Sequence, residues 1–170
     1  MGLLLFSRKN LQGEFILEKE EKMFEKILLP TDFSDVAARA LEFVKQLKDS
    51  GAKEVIVLNV IEEKYYYLSE EYPTVDLETL DKNLKKDALK KLAAVANDLY
   101  EKGFKVKVIT AKGVPANEIL RIEQEEKVSM IVLGSHGMSN IKEMLLGSVS
   151  EAVIRKSKQP VLVVKRQSKV

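Results

Sequence analysis

The segment from Gly134 to Ser148, GSHGMSNIKEMLLGS, could form a site that binds an anion. It holds three of the chain's eight glycines and directly follows the strand-like run SMIVL. Because glycine has no Cβ, Gly134 and Gly137 would let main-chain amides approach a ligand closely. Gly147 and Ser148 then open a predicted helix, whose free N–H groups and positive dipole end attract phosphate.

The same segment also has a purely structural interpretation. Residues 148–151, SVSE, match a capping box, in which side chains at a helix start satisfy the same N–H groups. Glycines near helix ends are also common in turns, so spacing alone favours the structural interpretation. No Walker loop, G-x-x-x-x-G-K-[ST], occurs in the chain.

A second candidate segment, Pro30-Thr31-Asp32, follows the first predicted strand. The Asp32 carboxylate could accept hydrogen bonds from a ribose or help to hold a metal near phosphates. Alternatively, Asp32 or Ser34 caps the helix that follows. Taken by itself, the capping role is favoured.

The elements around these segments alternate between strand and helix. Strands are predicted at 26–30, 54–61, 104–110, 129–133 and 160–164. Helices are predicted at 36–47, 77–99 and 148–156, with a short one starting at Pro115. This alternation predicts an α/β fold of parallel strands joined by right-handed crossovers, in which ligands bind beyond the carboxyl ends of the strands. We expect one domain, residues 23–170, with residues 1–22 outside the pattern.

Composition excludes several classes of protein. The 170 residues include 28 basic and 26 acidic side chains, a net charge of +2, which argues against nucleic-acid binding. The absence of cysteine removes disulfides, thiolate catalysis and cysteine metal sites. No apolar run approaches the roughly 20 residues of a membrane span, so we expect no membrane association and a cytoplasmic location.

With these residues in view, the sequence resembles the universal stress protein family, specifically its ATP-binding branch, from about Phe24 to Arg166. The most specific feature is the spacing G-x-x-G-x9-G-[ST], present as Gly134, Gly137, Gly147 and Ser148. The stretches ILLPTDFS from Ile27 and PVLVV from Pro160 also look like the family. The resemblance implies a doubly wound five-stranded parallel sheet of order 3-2-1-4-5, with helices on both faces. Asp32 and the glycine segment would then share one crevice.

The resemblance also implies positions for ten residues around bound ATP. Those expected at the nucleoside are Pro30, Thr31, Asp32 and Val60. Gly134 and Gly137 are expected near the ribose and the phosphates, and those expected to hold the phosphates are Gly147, Ser148, Val149 and Ser150. Asp32 is expected on the ribose, the main chain of Val60 beside the adenine, and the hydroxyls of Ser148 and Ser150 as added donors. A divalent cation, Mg²⁺ or Mn²⁺, would bridge phosphate oxygens rather than occupy a protein cage.

The preferred function is that of an ATP-binding regulatory protein of the stress response, with no catalytic residue. The alternatives are a slow ATPase or phosphotransferase of unknown acceptor, and a dimerising scaffold with an empty crevice. His136 is expected to be a loop residue rather than a base, and Lys142 to be solvated. The tyrosine-containing segment 62–75 could cover the nucleotide, pack on the surface or contact a partner.

The final apolar run, 160–164, is predicted to be an edge strand. An uncovered edge is prone to association, and the resemblance implies that it pairs with its equivalent in a homodimer. The alternative is a monomer with a shielded edge. Met23 lies where members of the family ordinarily begin, so residues 1–22 depart from the pattern and no function is inferred for them.

Overall fold

The computed structural model describes residues 7–9, 15–17, 24–62, 77–137 and 146–166. The strands of its main sheet are β1 (Lys26–Pro30), β2 (Glu54–Glu62), β3 (Lys105–Gly113), β4 (Met130–Gly134) and β5 (Val161–Val164). All neighbouring pairs are parallel, and the spatial order is β3-β2-β1-β4-β5. The predicted order 3-2-1-4-5 is therefore confirmed.

Four helices cover the two faces of this sheet: α1 (Asp35–Gln46), α2 (Leu77–Glu101), α3 (Pro115–Glu125) and α4 (Ser148–Lys156). Successive strand side chains point to opposite faces, so each apolar strand supplies both sides of the sheet. Ile27 and Leu29 of β1 pack with α1 and α2, whereas Leu28 packs with α3 and α4. Two buried cores result, and they hold the strand ends in fixed positions.

β3 extends three residues past the predicted end at Thr110. Residues 111–113 continue the parallel ladder opposite residues 60–62 of β2. The sequence TAKG has no apolar alternation, so hydrophobicity could not indicate this extension. Exposed Lys105 and Lys107 lie on this edge strand, where charge discourages pairing with another chain.

Before the main sheet, residues Ser7–Lys9 and Phe15–Leu17 form a short antiparallel pair, with Arg8 opposite Ile16. Part of the N-terminal extension therefore has regular backbone structure, and the boundary at residue 23 stays a prediction. No helix within the described ranges has both the length and the apolar content to cross a bilayer.

Gly134, at the end of β4, is required by packing alone. A Cβ at this position would lie 2.9 Å from Cγ1 of Val36 and 3.2 Å from the Val36 carbonyl carbon. These separations are too short for carbon atoms, so glycine lets α1 pack directly against β4. Packing against α1 is thus sufficient reason for a glycine here, and the expected place of Gly134 beside a nucleotide stays a prediction.

We expect Gly134→Ala to lower the free energy of unfolding by about 1–3 kcal/mol, because it overpacks the contact between α1 and β4. The shortest contact is with a methyl of Val36, so Val36→Ala should recover part of this loss in the double variant. Urea denaturation of the two single variants and the double variant measures the coupling. Strictly additive losses would contradict this account of Gly134.

Candidate functional site

The loop after β1 carries Thr31 and Asp32 and is anchored to β2. The Thr31 N–H donates to the Leu58 carbonyl at 2.8 Å. The buried Asn59 side chain donates from Nδ2 to the Thr31 carbonyl, also at 2.8 Å. Thr31 is thus held through both its main-chain N–H and its carbonyl, and this fixes the position of the neighbouring Asp32.

Ser34 caps α1, and Asp32 does not. The Ser34 hydroxyl accepts a hydrogen bond from the Ala37 N–H at 3.2 Å, with Ser34 in the extended conformation of an N-cap. Asp32 Oδ1 accepts from the Ser34 N–H at 3.1 Å. Asp32 Oδ2 accepts no hydrogen bond from any of the described residues. One carboxylate oxygen is therefore left for another partner.

Gly137 lies directly against that second oxygen. A Cβ on Gly137 would sit only 2.8 Å from Asp32 Oδ2. The structure therefore brings the loop after β1 and the loop after β4 together at one end of the sheet. The absence of a side chain at Gly137 keeps the space in front of the carboxylate open.

Phe33, between Asp32 and the cap of α1, has a strained backbone. Its φ is 64°, in the left-handed region that residues other than glycine rarely adopt. The half-buried ring packs against the core, and Lys91 Nζ of α2 lies 5.2 Å from the ring centroid. Such strain costs on the order of 1 kcal/mol or more and persists only where the surroundings enforce it.

The expected capping box at the start of α4 is wrong. Gly147 is the N-cap, Ser148 is already the first helical residue, and no side chain caps the helix. The first intrahelical bond runs from the Glu151 N–H to the Gly147 carbonyl at 2.9 Å. Among the described residues, none accepts from the N–H groups of Ser148, Val149 and Ser150. These donors, at the positive end of the helix dipole, are the groups that bind anions.

Ser150 supports the site from inside. Its hydroxyl lies 2.8 Å from the Ser135 carbonyl and 2.8 Å from the Gly147 carbonyl, and it can donate to either. The Gly147 N–H also donates to Ser135 O, at 2.7 Å. Because the Ser150 hydroxyl is engaged in the protein, only its main-chain N–H faces the site, contrary to the expectation of a hydroxyl donor there.

Ser135 was not singled out by sequence reasoning, and no spacing signal marks it. It is 1% exposed, and its N–H donates to the Val164 carbonyl at 2.8 Å. Its hydroxyl lies 3.0 Å from His136 Nδ1. Ser135 thereby links the ends of β4 and β5 to the start of α4.

The main chain of Val60 faces the space beyond the end of β1. The carbonyl of Leu58 points to β1, where it accepts from Thr31. Backbone groups two residues apart on a strand point the same way, so the N–H and C=O of Val60 also face the β1 side. Since β1 ends at Pro30, opposite Leu58, no strand among the described residues lies there to pair with them. Lys142 and residues 63–75 of the tyrosine-containing segment lie outside the described residues.

The residues just after β5 are hydrogen-bonded to α1. The Arg39 guanidinium donates to the Lys165 carbonyl at 2.6 Å, and Arg166 donates to Asp35 Oδ1 at 2.9 Å. The hydrogen bond from Arg166 lowers the pKa of Asp35 below its ordinary value of 3.8. These contacts fix the chain after β5 to the first turns of α1. Within the described ranges, no cluster of three or more acidic, histidine or cysteine side chains could hold a metal.

Comparison with known proteins identifies the family. The model of the universal stress protein family matches residues 23–165. The chain belongs to the universal stress protein family. Universal stress protein MJ0577 of Methanocaldococcus jannaschii is 42% identical over 158 residues, 86% of this chain and 98% of the relative. Universal stress protein YxiE of Bacillus subtilis is 38% identical over 148 residues, 84% of this chain and 100% of the relative.

Solved structures agree with the fold. The structure of MJ0577 superposes with a TM-score of 0.78 at 46% identity, covering 86% of this chain and 99% of that one. A universal stress protein of Arabidopsis thaliana with AMP bound has a TM-score of 0.57 at 19% identity, covering 84% and 92% of the two chains. A universal stress protein in complex with cAMP has a TM-score of 0.55 at 22% identity, covering 84% and 97%. At these low identities the last two show the fold alone.

In this universal stress protein, two serines near the start of α4 form a matched pair for testing the support of the site. Ser150→Ala should destabilise the protein by about 1–3 kcal/mol, because a buried donor to two carbonyls is lost. Ser148→Ala removes an exposed hydroxyl and should change stability by less than about 0.5 kcal/mol. Thermal and urea unfolding of both variants measure the difference. Equal effects would contradict the role given to the Ser150 hydroxyl.

Proposed function

We propose that this universal stress protein binds ATP with a divalent cation at the carboxyl ends of β1 and β4, and that nucleotide occupancy is its regulatory signal. One observation carries the proposal. The first turn of α4 has no side-chain cap, and the adjoining loop through Gly137 faces the available oxygen of Asp32. Donors for an anion and an acceptor for a hydroxyl therefore lie at the same end of the sheet.

The phosphates would be held by the main chain of α4. Three N–H groups, those of Ser148, Val149 and Ser150, lack acceptors among the described residues and lie at the positive end of the helix. Phosphate oxygens satisfy such donors without any specific side chain. Gly147 itself is held in place, because its N–H donates to the Ser135 carbonyl at 2.7 Å.

The nucleoside would be held by residues at the carboxyl ends of β1 and β2. Asp32 Oδ2 can accept a hydrogen bond from a ribose hydroxyl, with Pro30 and Thr31 forming the adjacent wall. The Val60 N–H and C=O can pair with the donor and acceptor on the edge of adenine. AMP and cAMP in the complexes of two relatives share this nucleoside, which supports an adenine nucleotide as the ligand.

The described residues suit a cation that is carried by the nucleotide. Asp32 is the carboxylate against Gly137, and no metal-binding cluster of side chains occurs in the described ranges. Mg²⁺ usually retains waters and binds through phosphate oxygens with one or two carboxylates. When bound, it would neutralise phosphate charge, while the protein contributes the N–H donors and Asp32.

Calorimetric titration with Mg-ATP tests the proposed site. Asp32→Asn keeps an acceptor for the Ser34 N–H but removes the charge, and it should weaken ATP binding about tenfold, the effect of losing a charged hydrogen bond. Asp87→Asn, the same change at an exposed position of α2, should bind like the wild type.

A second variant tests the same space by steric means. Gly137→Val places carbon atoms in front of Asp32 Oδ2 and should abolish binding while circular dichroism stays unchanged. Failure of the wild-type protein to bind ATP, in titration and in mass spectrometry of freshly purified protein, would overturn the proposal. Equal affinities of the Asp32 and Asp87 variants would remove Asp32 from the site.

The same proposal includes a homodimer formed through β5. The Pro160 carbonyl accepts from Ile131 of β4 and the Val164 carbonyl from Ser135 just after it, so the main-chain groups of Val161 and Val163 point to the outer edge. These valines and Leu162 are half-buried and leave an apolar edge in the single chain. An exposed strand edge with this composition suits pairing with its equivalent in a second copy.

Val163→Pro should convert the dimer to a monomer. Proline removes the outward N–H of residue 163 but no hydrogen bond to β4, so the fold should persist. Sedimentation equilibrium gives the mass, and circular dichroism reports the fold. Leu162→Pro is the comparison, since that N–H faces β4 and its loss should destabilise the sheet itself. A wild-type protein that is monomeric at all concentrations would exclude this interface.

A further inference from the structure

An open groove of about 740 Å³ lies at the amino ends of the strands, opposite the proposed ATP site. Its floor includes Lys26 of β1, Glu54 of β2, Lys105 of β3 and Ser129 just before β4. The end of α3 and the turn between α4 and β5 form its remaining wall. The volume falls within the range of pockets that hold small molecules.

Glu123 of α3 lines this groove and is incompletely satisfied. The residue is 2% exposed. Its Oε1 accepts three hydrogen bonds, from the Ser157 hydroxyl at 2.8 Å, the Lys158 N–H at 2.8 Å and the Gln159 N–H at 2.9 Å. Its Oε2 is shielded from solvent and has no hydrogen-bond partner among the described residues. A buried carboxylate oxygen without a donor is costly, and native proteins rarely keep one without a reason.

The lysines of the groove fall into two groups. Lys26 and Lys105 pair with Glu54 at 3.6 and 3.1 Å, and Lys53 pairs with Glu25 at 2.8 Å. Lys127 and Lys158 are exposed and form no ion pair within the described part of the chain. The groove therefore contains a buried acceptor without a donor and two cations without an anion.

We propose that this groove binds a small zwitterion, with its ammonium group on Glu123 Oε2 and its anionic group on Lys127 and Lys158. An ammonium supplies the missing donor and compensates the buried negative charge. The exposed side chains of Gln124, Lys127 and Lys158 line the groove beside Glu123, and binding at Oε2 requires them to move aside. A buried water would satisfy Oε2 alone. Such a water would leave Lys127 and Lys158 without an anion. A site that holds only water would also show no preference among charged ligands, so an experiment can tell a water from a zwitterion.

A series of straight-chain amino acids from glycine to 6-aminohexanoate tests the proposal and measures the spacing of the two groups. The N–H signals of Lys158 and Gln159, which donate to Glu123, serve as reporters in ¹⁵N–¹H spectra of the full chain. One chain length should give saturable shifts. Hexanoate and hexylamine, each carrying one of the two charged groups, should bind at least about tenfold more weakly.

Matched variants locate the effect. Glu123→Gln retains the shape and the Oε1 acceptor, and it should weaken the best probe about tenfold. Glu125→Gln, the same change at an exposed position of α3, should not. The double variant Lys127→Gln/Lys158→Gln should also weaken binding, whereas Lys86→Gln/Lys90→Gln on α2 should leave it unchanged.

Three results would overturn the zwitterion site: no saturable shift with any member of the series, equal binding of hexanoate, or unaltered binding by Glu123→Gln. If Glu123→Gln unfolds the protein, the Lys127→Gln/Lys158→Gln variant still tests the proposal. Both lysines are exposed, so their replacement should leave the fold intact. ATP binding is measured separately on the same samples. The two sites lie at opposite ends of the sheet, so either can fail without the other.

Discussion

The Ser135 carbonyl is the acceptor on which the candidate site depends. It receives the Gly147 N–H at 2.7 Å and the Ser150 hydroxyl at 2.8 Å, while the Ser135 N–H is bound to β5. A buried side chain and buried backbone thus fix the start of α4 to the ends of two strands. If the start of α4 were flexible, a ligand would have to order it on binding, at a cost in entropy. The hydrogen bonds to Ser135 already hold it in place, so binding does not incur that cost.

Two features of the site lower the stability of the fold. The start of α4 has Gly147 at its N-cap in place of a capping side chain, which lowers stability by roughly a few tenths of a kcal/mol. Phe33 holds a left-handed backbone conformation beside Asp32. α1 has the usual cap, Ser34, but α3 also begins without a side-chain cap, at Val114, and Lys127 also has a positive φ, of 50°. What distinguishes the candidate site is that the first N–H groups of α4 and the second oxygen of Asp32 are left available at the same end of the sheet.

The sequence was sufficient for the fold class, because strand–helix alternation reflects residues in the buried cores. The strand order came from the family resemblance, whose most specific feature is the glycine spacing of a loop. The sequence was insufficient at the start of α4. The pattern S-x-x-E fits a capping box only if Ser148 is the N-cap, and the helix in fact begins one residue earlier. A shift of one residue therefore turns satisfied N–H groups into available ones.

Ser135 and Asn59 also escaped prediction, since their hydrogen bonds join segments that are distant in sequence. Gly134 was expected to serve a ligand, yet helix packing already requires it.

The two ends of the sheet present complementary unsatisfied groups. At the carboxyl end the unsatisfied groups are main-chain N–H donors held in fixed positions. They can bind an anion without help from any particular side chain. At the amino end the unsatisfied group is a carboxylate oxygen of Glu123, held in place by the three donors on its other oxygen. Parallel strands produce this difference, because all their carboxyl ends, and the helix starts that follow them, lie on one side. The opposite end has no such helix starts, so any recognition there depends on charged side chains.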